Sequence, residues 1–551
     1  MKLAKALSLV FFSAVALAAA SPAVNAEVGS LRQKAGTAGC LTDDGTSGQC
    51  TQGRNLMGPL TVIVSPDGKH VYGGYASGIE GFERNQSTGA LSIMTSRSAC
   101  FSYDSVNAST CNVDTSVVYL REMAISPDGK NIYASGGGIG PFVIFDRDTT
   151  TGLLTRKSQC FAVVGTTGCT NLVPPLFDPT SIVVSPDGKN VYVADSTASV
   201  VYIFARASDG SLSLLPGSST CLQETTANGC AAGGVGTRPL KIVISPDGGS
   251  VYIVSRDFTA GKVSVFDRAA DGSLTRKSGA TGCFSSEGVS GCATATAIRV
   301  PSSIAISPDG KNLYVGTMSG SIGAFRRAID GTITQKGGLA ACVSQNGTDG
   351  NSSAVVCSTS STLGIVEVLV ATEDGRSVYA TNTSGAKVLS LFTRNQNTGE
   401  LHDPAAPLGC ITSNSSATSC TQNAFVKSPG PLALSPNQKN LYLVSFEGPS
   451  ITGSITSFVR ETGVHVPVLQ SKPAERSRKK VATFTFTGIG QDITFQCRID
   501  AGSFTPCTSP VTYRKLKVGK HSFEVQALRG ATKSPTASFS WRVLRPRRRP
   551  V

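Results

Sequence analysis

A unit of about sixty residues recurs seven times along this chain of 551, and a repeat of that length requires like units to pack on like. Two markers keep the period. A turn reads Ser-Pro-Asp-Gly from Ser65, Ser126, Ser185, Ser245 and Ser307, then decays to Thr372-Glu-Asp-Gly and Ser435-Pro-Asn-Gln. Ahead of each turn stands a close couple of cysteines: Cys40/Cys50, Cys100/Cys111, Cys160/Cys169, Cys221/Cys230, Cys283/Cys292, Cys342/Cys357 and Cys410/Cys420. An eighth couple, Cys497/Cys507, lies beyond the repeats.

Each copy reads as four short strands. In the fourth copy Leu240 to Ser245 runs into the turn, Ser250 to Val254 and Lys262 to Arg268 follow, and Gly272 to Lys277 comes last. All are rich in Val, Ile, Tyr and Phe and bounded by Gly, Pro, Asp or Ser. In the turn, Pro presets the second position, Asp bonds local backbone and Gly takes the left-handed conformation. Four strands written seven times predict an all-β chain forming a seven-bladed β-propeller, where radial repetition shields the sheet edges. Gly29 to Lys34 matches the last-strand pattern and would complete the seventh blade; Glu461 to Gln470 is the alternative.

The third strand carries Phe-x-Arg in every copy: Phe82/Arg84, Phe145/Arg147, Phe204/Arg206, Phe266/Arg268, Phe325/Arg327, Phe392/Arg394 and Phe458/Arg460. Residues two apart on a strand share a face, so each Phe is expected between sheets with its Arg beside it. The arginines either pair with neighbouring units or ring an anion. The turn aspartates, Asp67, Asp128, Asp187, Asp247 and Asp309, are assigned to turn formation, because no copy has the Asp-x-Asp-x-Asp-Gly spacing of a calcium loop.

Lys2 and Lys5, an apolar run from Ala6 to Ala20, and Val24-Asn25-Ala26 read as a signal peptide over 1–26, cleaved between Ala26 and Glu27. Export to an oxidising compartment predicts that all sixteen cysteines form disulfides within their couples. Zinc is the competing reading. It suits neither spacings of 9 to 15 residues nor four histidines, His70, His402, His465 and His521, of which the first three are scattered and read as surface residues. No metal or cofactor is expected, and no later stretch has the 18 or more apolar residues of a spanning helix. Charge is uneven: residues 27–470 hold 31 Lys+Arg against 32 Asp+Glu, whereas 471–551 hold 17 against 4 and end in Arg545-Pro-Arg547-Arg548-Arg549-Pro-Val551. So concentrated a positive charge suits an anionic wall or surface polymer, or serves only solubility. Nucleic acid is not expected, since no base-reading motif accompanies it.

The string Ser185-Pro-Asp-Gly-Lys-Asn-Val-Tyr-Val193, followed by an Ile/Val-x-x-Phe strand and Asp-Gly-Ser-Leu, resembles the lactonase-like seven-bladed propellers. That group includes 6-phosphogluconolactonase-type proteins and YVTN-repeat surface proteins, and the resemblance spans roughly residues 29 to 460. It implies that the cysteine connections share a face of the disc with the loops between second and third strands, usually the face that binds. These connections, about 20 to 30 residues long, are uncommon without a function of their own. Known hydrolases of this architecture place His, Arg and Glu around the channel. No such set maps onto this chain, which also lacks a Gly-x-Ser-x-Gly elbow and a His-Glu-x-x-His motif.

From Val481 the period changes. Alternating strands around Cys497-Arg-Ile-Asp-Ala-Gly-Ser-Phe-Thr-Pro-Cys507, Gly519-Lys-His-Ser-Phe and Trp541 resemble a bacterial Ig-like module, a small β-sandwich. The expected organisation is a signal peptide (1–26), propeller (27–468), basic linker (469–480), Ig-like domain (481–545) and basic tail (546–551). The expected function is that of a secreted or cell-surface binding protein, with an unidentified ligand at the loop face. A lactonase-like hydrolase acting in the channel is the alternative, and a coat protein the third reading.

Overall fold

Each repeat folds into one mainly antiparallel sheet, its strands in chain order in the first six and completed by N-terminal strands in the last, and seven such sheets succeed one another. The computed structural model describes residues 29–545 apart from 55, 139, 163–166, 257–259, 290, 350–353, 383–386, 405–406, 448–451, 462–463, 465–466, 489–492, 530–531 and 535. The expected signal peptide with Ala26 and Glu27, together with His465 and the basic end 546–551, lies outside the described residues.

In the fourth sheet Pro239–Ile244 pairs with Ser250–Arg256, which pairs with Gly261–Arg268. The outer strand comes in two pieces, Leu274–Arg276 and Cys283–Ser285, both antiparallel to the third, and Ala293–Thr294 then adds in parallel. First strands of consecutive sheets lie side by side, and that of the last sheet, Pro429–Leu434, meets Pro59–Val64 of the first. The array is therefore a closed ring with a propeller-like all-β fold.

Seven hydrophobic clusters fill the spaces between consecutive sheets. Each holds the second-strand Tyr of one sheet and the Phe of the next sheet's Phe-x-Arg, as with Tyr72 and Phe145, or Tyr192 and Phe266. All seven Phe and all seven Tyr are fully buried, and burying a side chain of that size is worth roughly 1.5–3 kcal/mol. The ring is closed by Tyr442 against Phe82.

The closing strand comes from the N-terminal side. Leu31–Gln33 and Cys40–Thr42 both pair with Thr452–Arg460 of the seventh sheet. Val468–Ser471, overlapping the end of the alternative segment, instead pairs with Val481–Thr487. Arg476–Ser477 joins Ala537–Val543 in parallel. The stretch expected as a linker thus supplies two strands to the last part of the chain, where a three-stranded and a six-stranded sheet share a core of Phe484, Phe523 and Trp541.

The turns explain their own spelling. Ser65 Oγ donates to Asp67 and accepts the His70 N–H, and the same bonds recur at Ser126, Ser185, Ser245, Ser307 and Thr372. The turn glycine sits at a left-handed φ, 69° at Gly68; in the decayed seventh copy Gln438 must hold φ 60° instead.

Candidate functional site

Two rims of the ring differ in how they use the repeat. On the turn rim every Phe-x-Arg arginine spans two sheets. Its Nε donates to the Tyr hydroxyl of the preceding sheet at 2.7–3.0 Å in all seven copies, from Arg84 to Tyr442 through Arg460 to Tyr379. The Tyr hydroxyl in turn donates to a glycine carbonyl of the arginine's own sheet, as Tyr72 does to Gly152 at 2.7 Å. For the seventh sheet that glycine is Gly29, so the closing strand completes the pattern. Six arginines also pair with the preceding turn's aspartate, at 2.8–3.0 Å.

The aspartates are therefore more than turn formers, and the arginines are inter-sheet ties. Burial opposes ionisation of Asp67, yet Ser65, the Lys69 N–H and Arg147 overcome it and bring its carboxyl to about 2. Burial pushes the Tyr133, Tyr192, Tyr379 and Tyr442 hydroxyls up to about 12, so they remain protonated donors. His70 is not a surface residue: it is buried, and its Nδ1 lies 2.6 Å from Arg147 Nη2. A guanidinium can only donate, so the ring nitrogen accepts. Burial and the Arg147 charge both hold the imidazole below its usual pKa.

The opposite rim carries the disulfides. Each cysteine is bonded within its own couple: Cys40–Cys50, Cys100–Cys111, Cys160–Cys169, Cys221–Cys230, Cys283–Cys292, Cys342–Cys357 and Cys410–Cys420 in the ring, and Cys497–Cys507 after it. Their Cα–Cα distances are 4.7–4.9 Å in the ring and 5.8 Å for Cys497–Cys507. In each sheet the first cysteine lies on the outer strand, facing the third: Cys100 is opposite Glu80, Cys221 opposite Tyr202, Cys283 opposite Ser264. The second cysteine (Cys50, Cys111, Cys169, Cys230, Cys292, Cys357 or Cys420) directly precedes the short parallel strand, so the bond clamps that strand over the sheet's outer edge. The connections expected to lack secondary structure are corrected accordingly: they contain half a strand and an edge cover, because the bond brings a two-residue segment such as Asn112–Val113 or Thr421–Gln422 within backbone reach of the outer strand. The outer strand ends beside the turn between second and third strands, where the Tyr103 N–H donates to Ser77 O and the Ser286 N–H to Gly261 O.

On this loop rim the copies diverge. The same place on the first strand is occupied by Thr61, Glu122, Ser181, Lys241, Ser303, Val368 and Pro431. Ser181 and Ser303 accept from Ile242 N and Leu369 N of the next sheet, but Glu122 and Lys241 form an ion pair across the intervening strand Pro179–Val184. Burial brings the Lys241 ammonium down to about 8; the Glu122 carboxylate is the counter-charge that favours its protonated form. Arg121 and Asp178 pair nearby at 3.6 Å.

The place three residues after the second-strand Tyr diverges as well. Asp195 there accepts from the N–H groups of Phe177, Asp178, Thr197 and Ala198 at 2.5–2.9 Å, while burial raises its pKa. Ser255 and Ser445 hold the same place, and their buried hydroxyls have no partner among the described residues. Each borders a cavity. The one at Ser255, about 120 Å³, contains the Glu224–Lys262 ion pair and Arg276; the one at Ser445 measures about 370 Å³.

The ring is propeller-like. The chain is similar to a Bacteroides uniformis protein assigned as a putative 6-phosphogluconolactonase, at 16% identity over 85% of this chain and 98% of that one, with a TM-score of 0.43. It is also similar to the Pseudomonas aeruginosa periplasmic gluconolactonase PpgL (15% identity, 70% and 93% coverage, TM-score 0.41) and to Kuenenia stuttgartiensis hydrazine synthase (13%, 73% and 96%, 0.41). No family model and no curated protein matches. Likeness at this level leaves activity to be argued from the site.

Of the other histidines, His402 is exposed 3.9 Å from Glu400, and His521 is buried between Asp500 and the Lys517 carbonyl. Among the described residues no three His, Cys, Asp or Glu side chains group as a metal site. The sequence reading passed over Lys241, Glu122 and the second-strand tyrosines. A charge inside Leu240-Lys-Ile-Val-Ile was the signal for the first, and Tyr at one fixed place in seven copies was the signal for the last.

Proposed function

We propose that the seven sheets are the blades of a seven-bladed β-propeller, followed by an Ig-like module, and that the protein is exported and binds a ligand or partner through the loop face. The observation that carries this reading is the contrast between rims: one uses the same Arg, Tyr and carboxylate set nearly seven times over, while the other varies the same positions from copy to copy. Variation on a rigid repeated scaffold is how binding surfaces are built. Eight disulfides suit an oxidising compartment, and no described helix is long and apolar enough to cross a membrane.

In the Ig-like module Lys472, Arg476, Arg478, Lys479, Lys480, Arg514, Lys515, Lys517, Lys520, Lys533, Arg542 and Arg545 are all exposed. Such a surface attracts an anionic wall or surface polymer, in a way that salt screens. Retention on isolated cell envelopes is the test. The full chain should be retained at low salt and released as salt rises, and a chain ending at Gln470 should wash off; equal retention of the two sinks the anchoring role. Reversing a loop-face charge, as in Glu224→Lys, should reduce partner capture, whereas Asp209→Lys on the turn rim should leave it unchanged.

A second reading, a lactone or ester hydrolase in the channel, is favoured by the Glu122–Lys241 pair, where a part-buried ammonium stands against a carboxylate on the inner wall. Turnover of a lactone panel that disappears in Glu122→Gln would establish it.

A further inference from the structure

The cleft at Ser445 lies at the loop rim of the seventh sheet, between that sheet's own loops and the connection that enters it, away from the Glu122–Lys241 pair on the inner wall. One side is the loop closed by Cys40–Cys50, which contributes Asp43 and Gln49; the other is the connection into the seventh sheet, which contributes Phe425 and Lys427, with Phe446 beyond Ser445. Phe425 and Phe446 are both part-exposed, so apolar ring surface is presented to the cleft. Ser445 is 2% exposed and its Oγ has no hydrogen-bond partner among the described residues. A buried hydroxyl without a partner is destabilising unless something in the cleft bonds it.

The equivalent place in the third sheet shows what a filled version looks like. There Asp195 reaches the incoming connection and bonds the Phe177 and Asp178 N–H groups. Serine is two heavy atoms shorter and makes no such bond among the described residues, so its hydroxyl is left at the cleft. At about 370 Å³ it falls in the range of small-molecule sites.

We propose that this cleft is a binding site for a neutral saccharide, a mono- or disaccharide unit of a larger glycan. The inference rests on the loop-face binding reading and gives that face a ligand class. A pyranose has an apolar C–H face and a rim of hydroxyls, and the cleft offers the complement: phenyl rings for the face; a carboxylate, an amide and a lone hydroxyl for the rim. Asp43 and the neighbouring Asp44 disfavour an anionic sugar, with Lys427 the one cation of the lining among the described residues. The Cys40–Cys50 bond holds the carboxylate and amide wall in place without a ligand, which limits the ordering cost of binding.

The test is ligand-observed NMR and calorimetry on the full chain with glucose, galactose, mannose, N-acetylglucosamine, cellobiose and chitobiose, with choline and glucuronate as controls. At least one neutral sugar should bind with a dissociation constant of about 1 mM or tighter, weakened about tenfold or more by Ser445→Ala and by Phe446→Ala. Ser445→Ala removes no hydrogen bond among the described residues, so it should unfold like the parent and report on ligand alone; Gln49→Ala, on an exposed loop, is the second such variant. Binding of choline or glucuronate alone, no binding by any neutral sugar, or sugar binding unchanged in all three variants would overturn the proposal. If Phe446→Ala abolishes sugar binding but not envelope capture, the saccharide site stands and the partner lies elsewhere on the face; if capture is lost by Glu224→Lys but no sugar binds, the face reading survives and the saccharide site falls.

Discussion

The turn rim and the loop rim are built from the same seven repeats and follow opposite rules. On the turn rim, hydrogen bonds from each arginine meet a tyrosine, a turn carbonyl (a glycine's in six copies, Gln438's in the seventh) and, in six copies, a carboxylate. On the loop rim, one place on the first strand carries hydroxyls that bond the neighbouring sheet, a carboxylate, an ammonium, a Val or a Pro. The difference teaches that repetition alone does not mark function. Where every copy satisfies the same bonds the position holds the ring together, and where copies leave the pattern, the residue has been released for something else.

The strongest test of that division is to remove one tie. Arg147→Ala strands a half-buried Asp67 carboxylate, His70, the Tyr72 hydroxyl and the Gly129 carbonyl, and should cost about 3–5 kcal/mol in urea unfolding. Arg84→Ala at the closing seam should cost about 2 kcal/mol, because its partner there is the neutral Asn437 at 3.4 Å and no charge is stranded. Equal losses would mean that the carboxylates add nothing to the ties.

Next comes the loop rim's own brace. Replacing Cys283 and Cys292 together by Ser should cost roughly 2–3 kcal/mol, the chain-entropy value for so short a loop, and should free Ala293–Thr294 from the sheet edge. Amide exchange in those two residues, with the turn rim still protected, would show that the disulfide holds an edge and not the ring.

How much of this was legible follows from the range of each interaction. The turns, the Phe-x-Arg strand and the cysteine couples are patterns within about fifteen residues, and they appear in the folded chain where the repeat put them. The partners of those patterns do not lie within one repeat. Arg147 meets Tyr72 across 75 residues, Lys241 meets Glu122 across 119, and Arg84 meets Tyr442 across 358. Such pairings are set by how sheets stack, which a single strand's spelling does not encode. His70 shows the same limit: beside a turn it reads as surface, and only the neighbouring sheet buries it. Arg476–Ser477 reads as linker because it is short and polar, and Val468–Ser471 overlaps the end of the alternative closing segment, yet both are edge strands whose backbone partners lie further along the chain.

A smaller effect separates the ring from the module after it. His70 is held below 6.5 by burial and Arg147. Above that pH it is neutral in both folded and unfolded chains; as pH falls through 6.5 the unfolded chain takes up a proton that the folded ring resists, so ring stability declines. His521 behaves oppositely: burial works against its charge, but the Lys517 carbonyl and Asp500 carboxylate win and raise its pKa above 6.5. Its contribution is full below 6.5 and is lost as pH rises through the folded value. Unfolding measured from pH 8 to 5 should show His70→Asn relieving the acid loss in the ring and His521→Gln removing the acid gain in the module.

The smallest effect tests the seam directly. Asn437 stands where six other copies have aspartate, and Asn437→Asp would give Arg84 the carboxylate that the other arginines have. The gain is limited. Asn437 is exposed, so solvent screens the new pair, and its Nδ2 bond to the Gln86 carbonyl at 3.3 Å is lost. A pair of that kind is worth about 0.5 kcal/mol, and it should vanish below about pH 3, where a carboxyl of this sort is protonated. The change is informative because of its sign. If completing the seventh tie stabilises the ring at pH 7 and not at pH 2, the seam differs from the other six interfaces by one charge. If it destabilises at both, the geometry set by the N-terminal closing strand and the left-handed Gln438 at φ 60° keeps the seam a different kind of joint.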